Sequence, residues 1–269
     1  MDTSFDSQSA ITTIRRFLTG SLMQSGLSGY VVGLSGGIDS ALSATLAVEA
    51  IGPDKVFGVL MPYKLSSASS LSDARALVAQ LEIEHTVVDI SPMIDAYYDR
   101  IDESMQVRAG NKMARERMSI LFDIAFDMNR LVLGTGNRTE SALGYTTLYG
   151  DQACSVNPIG ELYKTQVRQL ARELEVPESI ITKPPSADLW VDQTDEGEIG
   201  VTYDEIDRIL VQLLDENVRS MKILEADGLD SVSVSRVVSM LNRNSFKRRQ
   251  PPVAPLGKPP IPEHIELDQ

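Results

Sequence analysis

Asp39 lies in the run Gly33-Leu34-Ser35-Gly36-Gly37-Ile38-Asp39-Ser40, between an apolar stretch (Tyr30-Val31-Val32) and a helix-favouring one (Ala41 to Ala50). The residue types describe a phosphate-binding turn. Tandem glycines let the backbone approach an oxyanion with no Cβ in the way, and the flanking serines add hydroxyl donors where a helix begins with its free N–H groups outward. A carboxylate at such a place repels an anion unless a divalent cation stands between them, which makes Asp39 a candidate magnesium ligand. The run has neither the Gly-Lys-Ser/Thr ending of the common nucleotide loop nor the Gly-x-Gly-x-x-Gly spacing of dinucleotide folds, so kinase and dehydrogenase chemistry is disfavoured.

Ser35-Gly36-Gly37-Ile38-Asp39-Ser40 resembles the pyrophosphate-binding loop of the ATP pyrophosphatases, which split ATP between its α and β phosphates. Further segments sharpen the likeness: Gly134-Thr135-Gly136-Asn137-Arg138-Thr139-Glu140, Gly144-Tyr145-Thr146-Thr147, Tyr149-Gly150-Asp151, Asn157-Pro158-Ile159-Gly160 and Leu162-Tyr163-Lys164-Thr165. With Pro184-Pro185-Ser186-Ala187-Asp188-Leu189 and Arg243-Asn244-Ser245-Phe246-Lys247-Arg248 added, nearly the whole chain resembles the NAD synthetase family. The resemblance implies amidation of deamido-NAD by ammonia, with ATP cleaved to AMP and pyrophosphate through an acyl-adenylate. It also implies a Rossmann-like α/β fold of the adenine nucleotide α-hydrolase kind and a homodimer.

By the same resemblance, Asp39 and Glu140 hold Mg²⁺, and the triphosphate lies on Gly33, Leu34, Ser35, Gly36, Gly37, Ile38, Asp39, Ser40 and Lys164. Asp39 and Lys164 carry the catalytic charge stabilisation. Thr135 and Ser186 contact ATP, and Arg115 and Lys247 contact deamido-NAD. Plainer readings stand beside these. Glu140 is also the first-turn acid that a helix starting near Asn137 favours, and Arg115 also suits a pair with an acid on its own helix. Lys164 opens a helix, where the dipole disfavours a cation, so a bound anion accounts for it better. Cys154 reads as a small packed residue, and His85 and His264 complete no Ser/His/Asp or metal arrangement.

At Leu148 and Ser155 some single-domain members have a lysine and an acid, and at Phe246 others have a histidine; the dinucleotide contacts at these three positions are in question. No glutaminase segment precedes the loop, so free ammonia is the implied nitrogen source. The alternatives are another adenylating enzyme with this loop or a non-catalytic ATP-binding module; a tRNA-thiolating member would call for catalytic cysteines and a basic face.

The elements that must position these residues follow from periodicity. Ile11, Ile14, Leu18 and Leu22 mark a helix over 9–24; Ala74, Leu77, Val78 and Leu81 mark another after Ser72 as cap; Met118, Leu121, Phe122 and Ala125 mark a longer one. Tyr30–Leu34, Val56–Met61, His85–Ile90 and Leu131–Gly134 read as strands buried on both faces. The alternation predicts a parallel sheet with helices on both faces and a ligand crevice at the strands' carboxyl ends, where Gly33–Ser40 and Gly134–Glu140 both fall. Two later helices run through Val167–Leu174 and, opened by a Thr202/Glu205 capping box, through Ile206–Leu214. Thr182–Val201, with two prolines, two glycines and several acids, is expected to be a mobile lid. Residues 1–250 form one domain and the Pro-rich 251–269 an extended tail.

The chain has 269 residues, 42% hydrophobic and 23% charged, ordinary for a globular protein. No apolar run nears the roughly 20 residues of a membrane span, and the N-terminus shows no leader pattern. One cysteine excludes an internal disulfide; the cytoplasm is the expected compartment. A net charge of −13 argues against nucleic-acid binding, so anionic ligands must be held by local cations such as the basic run Arg243–Arg249. The Met113–Phe126 helix, rich in large apolar residues, is the candidate dimer face.

Overall fold

In a computed structural model that describes residues 5–98, 101–186 and 194–257, Tyr30 stands opposite Val56 on one side and Leu131 on the other. Four parallel strands, β1 (Tyr30–Gly33), β2 (Val56–Leu60), β3 (Glu84–Val87) and β4 (Leu131–Leu133), run in the order β3-β2-β1-β4. The chain adds β2 and β3 on one side of β1, then returns to place β4 on the other. The sheet order therefore reverses between β1 and β4, and a crevice opens there at the carboxyl ends.

The helices, in chain order, are α1 (Ser7–Ser25), α2 (Ile38–Ile51), α3 (Ala68–Leu81), α4 (Ser91–Asp95), α5 (Gln106–Asp127), α6 (Arg138–Leu143), α7 (Lys164–Glu173), α8 (Glu178–Ile181), α9 (Asp195–Ile199), α10 (Tyr203–Leu210), α11 (Met221–Ala226) and α12 (Ser231–Arg243). Alternation along the strands sorts the core. Tyr30, Val32 and Leu133 face a cluster built with α1, α2, α3 and α7, whereas Val31, Val59 and Val132 face α4 and α5. A third cluster joins α6, α10 and α12 and takes in Tyr163, the residue before Lys164. The α1 stripe packs as its spacing predicts, and the Tyr30 hydroxyl donates to the Leu18 carbonyl at 2.7 Å.

Several boundaries differ from the sequence reading. α3 is capped by Ser67, whose side chain accepts the Ser70 N–H, because the serine-rich stretch offers an earlier hydroxyl than Ser72. β3 is not buried on both faces: it is the sheet edge, with Glu84, His85 and Val87 exposed, and it ends at Val87. The predicted lid is interrupted by α9, whose end is packed through buried Ile199 and Val201, and Gly200 closes that helix in the left-handed region. Residues 187–193 in its centre lie outside the described residues. The tail at 251–257 is exposed without regular structure, and 258–269 lie outside the described residues. Among the described residues no helix is long and apolar enough to cross a membrane.

Candidate active site

The turn after β1 has its shape because no side chain fits within it. Gly36 has φ +78°, and a Cβ there would lie 2.2 Å from the Ser70 carbonyl oxygen. Gly37 begins α2 with no side-chain cap, so the helix's first N–H groups are left for another acceptor. Ser35 and Ser40 brace the loop: the Gly37 N–H donates to Ser35 Oγ at 3.2 Å, and Ser40 Oγ donates to the Gly37 carbonyl at 3.0 Å.

Three charged groups from three elements meet beside this loop. The Lys164 ammonium lies 2.5 Å from Asp39 Oδ2 and 2.9 Å from Glu140 Oε1, with side-chain exposures of 3% for the lysine and 18% and 17% for the acids. Burial alone would lower the lysine pKa, but the two carboxylates outweigh it and raise it, so the ammonium is held charged. Burial pushes Glu140 up, Asp39 adds to that, and Lys164 opposes it. The Tyr203 ring lies 5.0 Å from Lys164 Nζ, a cation–π contact in a desolvated setting.

Each helix that delivers a charge is tied down. Asn137 caps α6 by accepting the Glu140 N–H at 2.9 Å, and its amide donates to Asp39 Oδ1 at 2.8 Å. Buried Asp207, on α10, accepts the Thr139 hydroxyl at 2.5 Å and the Thr165 N–H at 2.8 Å, while the Lys164 N–H donates to Thr139 Oγ1 at 3.0 Å. These bonds lock the starts of α6 and α7 together. Burial pushes the Asp207 carboxyl up, and the Thr139 and Thr165 donors counter that.

The loop, Thr135, Glu140, Lys164, Ser186 and Lys247 all line one cavity of about 520 Å³, which is of ligand-pocket size. Arg115 does not. Val107, Asn111, Ala114, Arg117, Met118 and Leu121 supply the α5 wall; Arg115 sits roughly 100° further round the helix than Ala114, exposed, donating from Nε to the Leu148 carbonyl at 3.2 Å. It stands on the rim, and Arg117 takes the wall position. Lys247 lines the cavity, yet its ammonium donates to the Gly144 and Thr146 carbonyls at 2.7 Å each. Burial lowers its pKa, and Asp151 opposes that. Arg248 likewise donates to the Ala142 carbonyl and Asn244 to that of Leu143, so the basic run closes the C-terminal end of α6. Of the positions that depart from the family pattern, Leu148 receives Arg115, Ser155 Oγ accepts the Val132 N–H, and Phe246 is exposed. Burial pushes the Cys154 thiol up, as befits a packed residue.

Sequence reasoning assigned no role to Asn137, Tyr203 or Asp207. Asn137 belongs to the Gly134–Glu140 run and is a common capping type; Tyr203 and Asp207 are distant in sequence and carry no local signal. Among the described residues no cluster of three or more His, Cys, Asp or Glu could hold a metal. Two carboxylates do suit magnesium, which is held by one or two acids together with substrate phosphates and water. The donor set fits: both are hard oxygen donors at the cavity wall, close enough that a single cation, the Lys164 ammonium, contacts both.

Comparison with known proteins agrees with this geometry. A family model described as NAD synthase matches residues 10–251. The NH(3)-dependent NAD(+) synthetase of Fusobacterium nucleatum subsp. nucleatum is 48% identical over 242 residues, covering 90% of this chain and 93% of that one. The corresponding protein of Trichlorobacter lovleyi is 47% identical over 245 residues, covering 90% and 89%. Among solved structures, the NH3-dependent NAD synthetase of Campylobacter jejuni subsp. jejuni, in complex with the nitrate ion, superposes with a TM-score of 0.79 at 35% identity, covering 93% of this chain and all of that one. NMN synthetase of Francisella tularensis superposes with a TM-score of 0.81 at 35% identity, covering 93% and 99%.

Proposed function

Because the chain belongs to the NAD synthase family, we propose that it is a C–N ligase that amidates deamido-NAD with ammonia, giving NAD, AMP and pyrophosphate. The observation that carries the reading is the meeting of Asp39, Glu140 and Lys164 beside a side-chain-free phosphate turn, in one cavity.

The nicotinate carboxylate is a poor acyl donor until its oxygen becomes part of a leaving group. Its oxygen attacks the α phosphorus of ATP, the bond from that phosphorus to the bridging oxygen breaks, and pyrophosphate leaves. Ammonia then attacks the acyl carbon, the bond to the AMP oxygen breaks, and the nitrogen sheds a proton to solvent. No side-chain nucleophile is needed. The turn's N–H groups and the start of α2 bind the phosphates, and Lys164 balances charge as pyrophosphate departs. Mg²⁺ on Asp39 and Glu140 would neutralise the same developing charge. Thr135 and Ser186, both on the cavity wall, contact ATP. The other half of the dinucleotide extends past Lys247 to the rim at Arg115.

The lid is the segment Thr182–Val201, with Lys183 tethering its first end by donating to Ser70 Oγ at 2.8 Å. The protein works as a homodimer in the cytoplasm. Support for a dimer comes from Phe122 and Phe126 on α5, the second 91% exposed; Met113, at the start of the candidate face, belongs to the core instead. Sedimentation giving a monomer at micromolar concentration with both nucleotides present would remove the dimer. A second reading, a mononucleotide acceptor, is supported by the likeness to NMN synthetase.

The acyl-adenylate is tested with heavy oxygen in the nicotinate carboxylate. The reading expects one labelled oxygen per AMP formed; label absent from AMP and present in phosphate or pyrophosphate would overturn it.

A further inference from the structure

Asn137 has no exposed surface, and both ends of its amide are committed. Its Oδ1 accepts the Glu140 N–H, and its Nδ2 donates across 98 positions of sequence to Asp39 Oδ1. The two partners fix the orientation of the amide, since a main-chain N–H must face the oxygen and a carboxylate must face the nitrogen. Capping does not select asparagine, because aspartate and serine cap a helix about as well. What an asparagine adds is a donor. An aspartate would put a third negative charge against Asp39, and a serine is too short to hold the cap and reach Asp39 together.

We propose that Asn137 is a positioning residue that makes Asp39 and Glu140 one rigid unit for a divalent cation. Asp39 has two oxygens, one taken by Asn137 and the other by Lys164. With both directions fixed, its carboxylate plane cannot rotate freely, and because the same amide caps α6 the start of the Glu140 helix is fixed with it. Partners that orient ligating groups typically change metal affinity by about ten- to a hundredfold when removed. The inference rests on the reading of Asp39 and Glu140 as the metal carboxylates.

The test is the Mg²⁺ dependence of binding of α,β-methylene ATP, whose bridge cannot be cleaved, together with thermal unfolding. Asn137→Ser keeps a cap and removes the donor. The expected result is a Mg²⁺ half-saturation raised about tenfold or more with the folding transition retained. In the double variant Asn137→Ser with Asp39→Ala, the loss should be no greater than for Asp39→Ala alone, because Asn137 acts through Asp39. If the serine variant does not fold, Asn137→Thr, which also caps a helix and is also too short to reach Asp39, takes its place and should raise the Mg²⁺ half-saturation in the same way. An unchanged half-saturation in the variant that folds, or additive losses in the double variant, would each overturn the proposal. If Asp39→Ala itself leaves the half-saturation unchanged, the metal reading of the site fails; if Asp39→Ala weakens it and Asn137→Ser does not, only the role of Asn137 fails.

Discussion

The Tyr203 ring lies 5.0 Å from the Lys164 ammonium while its hydroxyl donates to Asp195 at 3.0 Å, so one buried side chain touches both the buried lysine and the start of α9. The two contacts separate by mutation. Tyr203→Phe keeps the ring and withdraws a donor from a carboxylate that is nearly buried, leaving the longer Tyr145 contact. The expected cost is about 1–3 kcal/mol in thermal or denaturant unfolding, with pyrophosphate release per folded molecule within about tenfold of wild type, a loss of no more than about 1.4 kcal/mol in barrier. Loss of turnover with unchanged stability would assign the hydroxyl to the chemistry instead.

Lys164→Met should act in two ways. Asp39 and Glu140 then face each other at the cavity wall without the ammonium, and breaking a buried ion pair costs roughly 3–5 kcal/mol. Because the acids are a little exposed, the fall should be at the lower end of that, and Mg²⁺ should restore more of the Tm in the variant than in wild type. ATP cleavage should fall by about a hundredfold or more, the scale of a lost charge-stabilising group. Thermal scans with and without Mg²⁺ and a pyrophosphate assay check both.

Gly36→Ala is expected to fail locally. Its φ of +78° strains any side chain, and the new Cβ would meet main-chain atoms of Ser70 rather than a yielding side chain. Nucleotide affinity should drop because the turn must move away from α3, whereas Gly26→Ala, with a similar φ and open space, should cost only about 1 kcal/mol or somewhat more and leave binding intact. Titration calorimetry with ATP on both variants tests the contrast.

These positions show what the sequence made legible. The tight glycine turn, the sheet and the convergence of Gly33–Ser40 with Gly134–Glu140 could be read because each is local: a tandem glycine, a β-branched run, a strand end. The meeting of Asp39 with Asn137, and of Thr139 with Asp207, depends on how helices pack and leaves no mark in any one stretch. The basic run near the tail illustrates a different limit. Its composition suggested anion binding, yet Arg248 donates to the Ala142 carbonyl of α6 and Lys247 to the Gly144 and Thr146 carbonyls just beyond that helix, a need that appears only once the helix end is placed beside them. Arg115 fell on the rim rather than the wall because helix phase, not motif membership, decides which face a residue shares.

Alkaline stability should report on Tyr30. Burial pushes its hydroxyl up to about 12, whereas in the unfolded chain a tyrosine ionises near pH 10. Between those values the unfolded chain releases a proton that the folded one keeps, so stability falls as pH rises through that window, by up to roughly 3 kcal/mol at about 1.4 kcal/mol per pH unit. Tyr30→Phe should lose about 1 kcal/mol at neutral pH, for the bond to Leu18, and should have a flatter stability curve above pH ~10. Urea unfolding at a series of pH values decides this; an unchanged alkaline slope would mean that other groups carry it.

The central claim is best tested by giving the purified protein ATP, Mg²⁺ and an ammonium salt with deamido-NAD or with nicotinate mononucleotide, and quantifying every product. The account predicts NAD, AMP and pyrophosphate in equal amounts from deamido-NAD, with the dinucleotide preferred over the mononucleotide in kcat/KM. ADP and phosphate as products, no amide at all, or preference for the mononucleotide would contradict it.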